Sequence, residues 1–377
     1  LIENPGILFS VLAFLCAIGP LVFIHEMGHY TAGRFFGIKA DAFSIGFGRE
    51  IAGWTDRLGT RWKIGWLPLG GYVKFAGDMN PAGVPDAAWL ALPAAERERT
   101  FQAKPLWQRA IVVAAGPFVN LALAVLILAG FAYAYGVDRT PPVIDQVAAG
   151  TPAAAAGLAP GDRIVAIDGV AMATFSDLAK FALIRPGQAV AVTVQRDDRR
   201  QAMPLTIGTV RQRDRFGNEY RIGRLGIAGG KPVYAPVSLI EAPLAGVRAT
   251  AEIVSGTVET LGQIISGRRS IDELGGPIRI AKVSGEQMSL GWPAFVWLLA
   301  LLSINLGFIN LLPVPLLDGG HLLFYAVEAV RRRPLEPQAQ EWAFRGGLAA
   351  VLLLMLVVTF NDLGAVGVWQ RLAGLIG

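Results

Sequence analysis

The stretch GILFSVLAFLCAIGPLVFIHEMGHY, Gly6 to Tyr30, joins an uninterrupted apolar run to a cluster of ionisable side chains at its end. As a helix rising about 1.5 Å per residue it is long enough to cross roughly 30 Å of hydrocarbon. On that helix His25 and His29, four residues apart, share one face, and Glu26 sits one step round it. Two imidazoles at this spacing can grip one metal ion, while the neighbouring carboxylate takes a proton from water as it attacks a carbonyl. The H-E-x-x-H pattern therefore points to zinc-dependent peptide hydrolysis inside a membrane. A chance closure of a core helix is the competing reading. It is weak, because two of the chain's three histidines fall in this pattern and ionisable groups within a span are costly enough to imply a function.

The rest of the composition agrees with that setting. Of 377 residues 53% are hydrophobic and 17% charged, and the mean hydropathy is +0.46, too apolar for an ordinary soluble enzyme. The fold class expected is a multi-pass α-helical membrane protein with about four spans: Gly6 to Tyr30, Ala110 to Tyr135, Pro293 to Val314, and Trp342 to Phe360. The first lacks a preceding basic residue and a small-residue cleavage site, so it reads as retained and not as a signal peptide. The single cysteine, Cys16, excludes an intrachain disulfide and a cysteine zinc cluster. The net charge of +5 follows from membrane topology. Arg331 to Arg333 after the third span, and Lys39, Arg49, Arg57, Arg61, Lys63 and Lys74 after the first, put both loops in the cytoplasm. The basicity needs no nucleic-acid partner.

Spans one and three then run in the same direction, and each carries polar residues near its cytoplasmic end. The third passes through Asn305 and Asn310 into Leu311-Leu312-Pro313-Val314-Pro315-Leu316-Leu317-Asp318-Gly319-Gly320-His321. By depth Asp318 can be a third metal ligand. His321 competes for that place, and spacing does not separate the two. Taken alone, Asp318-Gly319-Gly320 is equally a turn opening a capped helix.

Together, H-E-M-G-H in the first span, Gly116-Pro117-Phe118-Val119-Asn120 in the second and N-L-G-F-I-N-L-L-P-V-P-L-L-D-G-G in the third resemble the site-2 protease family of intramembrane zinc metalloproteases. The likeness is greatest to the bacterial regulator-of-sigma-E protease branch. The resemblance implies one Zn²⁺ per chain held by His25, His29 and Asp318, with Glu26 as catalytic base and His321 outside the metal shell. It also implies a bacterial inner-membrane location and substrates that are single-pass membrane proteins, such as anti-sigma factors already trimmed by another protease, or remnant signal peptides.

Residues 38 to 75 alternate apolar and polar in short pieces with a sharp Gly70-Gly71 turn, and read as strands. The resemblance makes them a β-structured loop dipping toward the active site, where Gly70, Gly71 and Tyr72 could hold an unwound substrate by strand addition. Asn305, Asn310 and Asn120 are candidates to bond its freed backbone groups, against the plainer role of interhelical packing. Pro313 and Pro315 shape the bend before Asp318. Gly150 to Leu158 followed by Pro160 to Gly169 resembles a PDZ domain, of which the chain supplies one copy.

The expected organisation is span one at 1–36, the cytoplasm-side β-loop at 37–106, span two at 107–136 and an extracytoplasmic PDZ domain at 142–210. A connector with an amphipathic helix follows at 211–292, then span three at 293–320, a cytoplasmic loop at 321–341, span four at 342–361 and an interfacial tail at 362–377. A PDZ-bearing membrane adaptor or transporter without proteolytic activity is the alternative. It would call for more ionisable residues along the spans, where the second and third offer mainly asparagine.

Overall fold

In the computed structural model, residues 5–77, 92–213, 219–271 and 275–365 are described. The described residues fall into two compact units: 5–128 with 275–362, and 129–271 with 363–365.

Among the described residues four helices are long and apolar enough to cross a bilayer: α1 (Ile7–Phe35), α3 (Leu106–Tyr135), α8 (Trp292–Leu311) and, within α10 (Pro337–Ala365), the segment Gln338–Gly364. They coincide with the expected spans. In the first unit α3 packs against both α1 and α8 through small residues, which let helix backbones approach closely in an apolar medium. A Cβ added at Gly28 of α1 would lie 2.6 Å from the Ala115 carbonyl oxygen of α3, and one at Gly307 of α8 would lie 2.9 Å from that of Pro117. The Ser303 hydroxyl donates to the Asn120 carbonyl across 2.8 Å and ties α8 to α3 at the same level. The sequence Gly116 to Asn120 is thus the part of α3 that meets its neighbours.

Between α1 and α3 lie β1 (Ala40–Thr55), β2 (Arg61–Phe75) and the short α2 (Ala94–Arg97). Both strands double back, so two elements form four sheet segments. Residues 40–45 pair with 71–75 on one side and with 61–64 on the other, while 50–55 pair with 61–65. The spatial order is therefore 71–75, 40–47, 61–67, 50–55. Trp62 faces Phe43 on one neighbour and Trp54 on the other, stacking on them with ring centroids 4.5 and 5.9 Å away. The inner face buries Phe43, Phe75 and Ala40 against Tyr30, Ile38, Phe101 and Val112, which fixes the sheet to the ends of α1 and α3. The alternation in residues 38 to 75 is the signature of this half-buried sheet.

After α8, the segment 321–341, expected as a loop, is mostly helical: α9 runs Asp318–Arg331. Its apolar positions Leu322, Tyr325 and Ala326 recur at helical spacing, and the triple arginine at its end ends the helix, with Arg332 in the left-handed region at φ 53°. Ahead of α8, α7 (Pro277–Ser289) packs on α1, where a Cβ at Gly285 would meet Ser10 Cα at 2.9 Å. The buried Asp362 of α10 accepts from the backbone N–H groups of Gly276 (3.2 Å) and Arg279 (3.0 Å), serving as a cap borrowed from another helix. The expected tail residues Trp369 and Arg371 lie outside the described residues.

The second unit holds a four-stranded sheet in the order β6-β5-β7-β8, built from β5 (Arg163–Ile167), β6 (Val170–Ala171), β7 (Ala189–Arg196) and β8 (Arg199–Thr206). Ile164, Ile167, Val192 and Val194 pack beneath Leu178 and Phe181 of α5 (Phe175–Leu183). Earlier in the chain come β3 (Val137–Asp138), β4 (Ile144–Val147) and the short α4 (Pro152–Ala155). Of the charged stretch 211–224, expected as a connector, residues 211–213 and 219–224 instead belong to the antiparallel pair β9 (Gly208–Arg213) and β10 (Glu219–Arg224). Charges on the outer face of a two-stranded ribbon hide its alternation. The chain then adds β11 (Ile227–Gly229) to β4 and β12 (Tyr234–Ala235) to β3. Leu225 belongs to the same core, so the unit continues past residue 210. Next comes α6 (Ala242–Ile265), joined to α5 by the ion pairs Lys180–Glu252 (2.9 Å) and Arg185–Glu259.

Candidate active site

A cavity of about 630 Å³ opens in the first unit, lined by His25, Glu26 and His29 of α1, residues 71–75 of β2, Asn310 of α8 and Asp318 of α9. Helical spacing brings the two imidazoles together, with their Nε2 atoms 3.2 Å apart. Asp318 Oδ2 reaches the same point, 3.2 Å from His25 Nε2 and 3.5 Å from His29 Nε2. Asp318 is the first residue of α9, and its side chain caps nothing: the cap position is Leu317. The turn that delivers it carries Leu316 at φ 108°, a region L residues rarely adopt, with a strain of order 1–3 kcal/mol that the surrounding structure must hold.

The donor triangle fits a zinc ion on three grounds. Four ligands in a tetrahedron at about 2.0–2.1 Å from zinc stand roughly 3.3 Å apart, and the edges here are 3.2, 3.2 and 3.5 Å. Asp318 Oδ2 is buried and makes no hydrogen bond of acceptable geometry despite those short approaches, the state of a ligand atom and not of a structural acceptor. His29 Nδ1 lies 2.9 Å from the Val112 carbonyl, which can only accept, so Nδ1 carries the proton and Nε2 is bare for a metal. Among the described residues this is the single group of three His, Cys, Asp or Glu side chains so disposed.

Of the two candidates for the third donor, the structure brings Asp318 to the imidazoles. His321, one turn further along α9, lines the cavity and packs edge-on to Phe324 without joining the cluster. Glu26 lines the cavity together with residues 71–75 of β2. Residues 71–75 form the outer edge of this sheet, which no strand covers among the described residues, and they line the site. Gly71 permits the approach: a Cβ there would stand 2.7 Å from the Ser44 carbonyl oxygen and 3.1 Å from Glu26 Cγ.

The residues expected at the substrate divide. Gly71, Tyr72 and Asn310 line the cavity, and the Asn310 amide donates to its own helix at Leu306 O (3.0 Å), leaving its oxygen free to turn. Gly70 supplies the bend at φ 95° beneath the Phe47 ring. Asn305 is exposed on a face of α8 that does not line the cavity, because five residues of α-helix rotate it well away from Asn310. Pro313 is also exposed and outside the lining, and Pro315 packs its backbone against Gly347 of α10. Asn120 is fully buried, its amide nitrogen 3.2 Å from His25 Nδ1, so it faces an imidazole and not the cavity.

Two residues carry more of the site than their types suggested. A Cβ at Gly116 would lie 2.6 Å from His29 Cε1, and nearer still to Nε2. The His29 ring therefore occupies the space above that glycine. Gly28, inside H-E-M-G-H, lets α1 come close enough for this to happen. The available signal was a glycine at a helix-interior position of each apolar span.

The model of peptidase family M50 matches residues 13–354. The chain belongs to this family. Three relatives show how evenly the match extends. A protein of Agrobacterium fabrum named "Putative zinc metalloprotease" is 45% identical over 94% of this chain and 96% of its own length. One of the same name from Rhizobium meliloti is 44% identical over 94% and 96%. The metalloprotease MmpA of Caulobacter vibrioides is 36% identical over 98% and 99%. This M50 peptidase is a zinc metalloprotease with four helices fit to span a membrane, and the reading as an adaptor without proteolytic activity gives way.

Proposed function

We propose that this M50 peptidase hydrolyses peptide bonds within the membrane-embedded segments of single-pass membrane proteins. In this reading His25, His29 and Asp318 hold one zinc ion and Glu26 is the catalytic base. The observation that carries it is the convergence, in one cavity between apolar helices, of a metal-shaped donor triangle, a carboxylate and an unpaired strand edge.

When bound at the triangle, zinc supplies Lewis acidity toward the scissile carbonyl and the attacking water. The protein's own groups do the rest. A helical substrate conceals its peptide bonds behind intrahelical hydrogen bonds and must be locally extended. Residues 71–75 offer it backbone donors and acceptors at an edge already facing the site, so an extended segment adds as a further strand. Its scissile bond then lies beside Glu26, whose carboxylate takes the proton of the attacking water and can return it to the leaving amine. Asn310, once its carboxamide turns from Leu306, bonds a substrate carbonyl or amide freed by unwinding.

The basic loops support a reading with the active site toward the cytoplasm and the second unit outside, in a bacterial inner membrane. The second unit is read as a PDZ domain extended through β12. Residues 150–169 fold as a Thr151-capped turn of helix, strand β5 and the Asp168-Gly169 turn, an order that supports this assignment. It would admit or read substrates already shortened on that side, anti-sigma factors and leftover signal peptides being the chemical type.

Purified full-length protein in proteoliposomes, with a single-pass membrane protein as substrate, tests the reading. Glu26→Gln is expected to keep zinc and lose cleavage, and His25→Ala to lose both. Turnover by Glu26→Gln at the wild-type rate would remove Glu26 from the chemistry.

A further inference from the structure

Each metal-facing imidazole has a partner on its far nitrogen, and the two partners differ in kind. His29 uses the Val112 carbonyl, an acceptor that side-chain substitution does not remove. His25 Nδ1 is met instead by the side chain of Asn120, at 3.2 Å from its amide nitrogen. An imidazole that offers Nε2 to a metal carries its proton on Nδ1, so an amide N–H facing it sets donor against donor. Meanwhile Asn120 Oδ1 is buried without any partner. The carboxamide ends are nearly isosteric, and a half-turn about the terminal torsion exchanges them. It removes the donor-against-donor contact and gives the oxygen a partner: Oδ1 accepts from His25 Nδ1–H, while the NH2 moves to the place Oδ1 held.

We infer that Asn120 is a positioning residue for the metal site, its carboxamide oxygen holding the His25 ring in the tautomer and orientation that leave Nε2 bare. The inference rests on His25 being a zinc ligand, as proposed above. Asn120 is suited to the task because nothing else competes for it. It is 0% exposed, its main chain is tethered to Ser303 on α8, and the residue lies outside the cavity lining. It also links the three helices of the site, since α3 supplies the side chain, α1 the imidazole and α8 the tether.

The test uses the full-length protein in detergent micelles, with zinc affinity measured by competition against a chromophoric chelator. The imidazole nitrogens are followed by ¹⁵N spectroscopy, which three histidines keep simple. Asn120→Leu, close in shape and without an acceptor, is expected to weaken zinc binding about 10- to 100-fold and to shift or exchange-broaden the His25 Nδ1–H signal. The His29 Nδ1–H signal, held by Val112, should stay in place and reports that the helices still pack. Asn120→Asp keeps an acceptor and should bind zinc far more tightly than Asn120→Leu. Wild-type zinc affinity in Asn120→Leu would overturn the inference, as would equal losses in the leucine and aspartate variants with His29 unmoved. His25→Ala separates this failure from that of the metal site: if it retains zinc, the ligand assignment falls and the role of Asn120 with it.

Discussion

Replacing Gly116 with alanine would put a methyl group into the space held by the His29 ring. The added Cβ would stand 2.6 Å from Cε1 and 2.9 Å from Cδ2. Ordinary contact begins at 3.4 Å and Nε2 is the nearest ring atom, so the ring must retreat by roughly 1 Å or more, or α1 and α3 must part. Neither is easy. The helices are already in backbone contact at Gly28 and Ala115, and the ring is tied to α3 through its Nδ1 contact with Val112 O. Overpacking of this kind costs about 1–3 kcal/mol. Since the displaced atom is the one facing the metal, the cost falls on zinc affinity, and at 1.4 kcal/mol per tenfold it amounts to roughly 5- to 150-fold. Chelator competition on the full-length protein measures it. Gly130→Ala, in the same helix with nothing within 4 Å of the added Cβ, is the control and should bind zinc as wild type does. If Gly116→Ala matched that control, the close packing of His29 over α3 would be irrelevant to the metal.

Three further outcomes are expected. Asp318→Asn should strip most of the zinc while His321→Ala keeps it, as read by metal analysis; the reverse would exchange their roles. Gly71→Ala pushes a Cβ toward Ser44 O and Glu26 Cγ, so it should cut the cleavage rate at least tenfold with zinc retained, and unchanged kinetics would show that the strand does not need to approach Glu26. Asp162, 1% exposed, accepts from Arg196 at 2.6 and 2.7 Å and from the Ala159 N–H at 2.9 Å, and these bonds, those of Arg196 foremost, hold its carboxyl below the usual carboxylate range. Its contribution is therefore full above the unfolded value of about 3.9 and is lost as pH falls through the lower folded value. Asp162→Asn should remove about 1–3 kcal/mol of hydrogen-exchange protection from β5 and β7 at neutral pH, together with the acid-dependent decline. Protection equal to wild type at pH 7 would mean that the pair does not hold the sheet.

Much of this architecture was legible in the chain because it rests on local signals. An apolar run of more than twenty residues can satisfy its backbone in lipid only as a helix, so the four spans could be read directly, as could the shared face of His25 and His29. The alternation in residues 38 to 75 announced strands, but not that each strand doubles back, because pairing partners such as Phe43 with both Val73 and Trp62 are a matter of register. The pairing of 208–213 with 219–224 was hidden by its charge, and α9 by the turn residues that precede it.

Residue type and helical period were enough to point to an H-E-x-x-H helix long and apolar enough to cross a membrane and to narrow the candidate third donor to two neighbours on one segment. Which of Asp318 and His321 comes beside the imidazoles depends on the path of the chain through Leu316, since residues three apart on a helix share a face and differ by about 4.5 Å along its axis. The same holds for Asn120 and Asn305. Both are asparagines within apolar helices, and one lies behind an imidazole while the other lies on an exposed face. Which face a helix turns inward depends on contacts between residues far apart in sequence, here the approach of Gly28 to Ala115 and of Gly307 to Pro117, and no periodicity within one segment encodes its rotation against another.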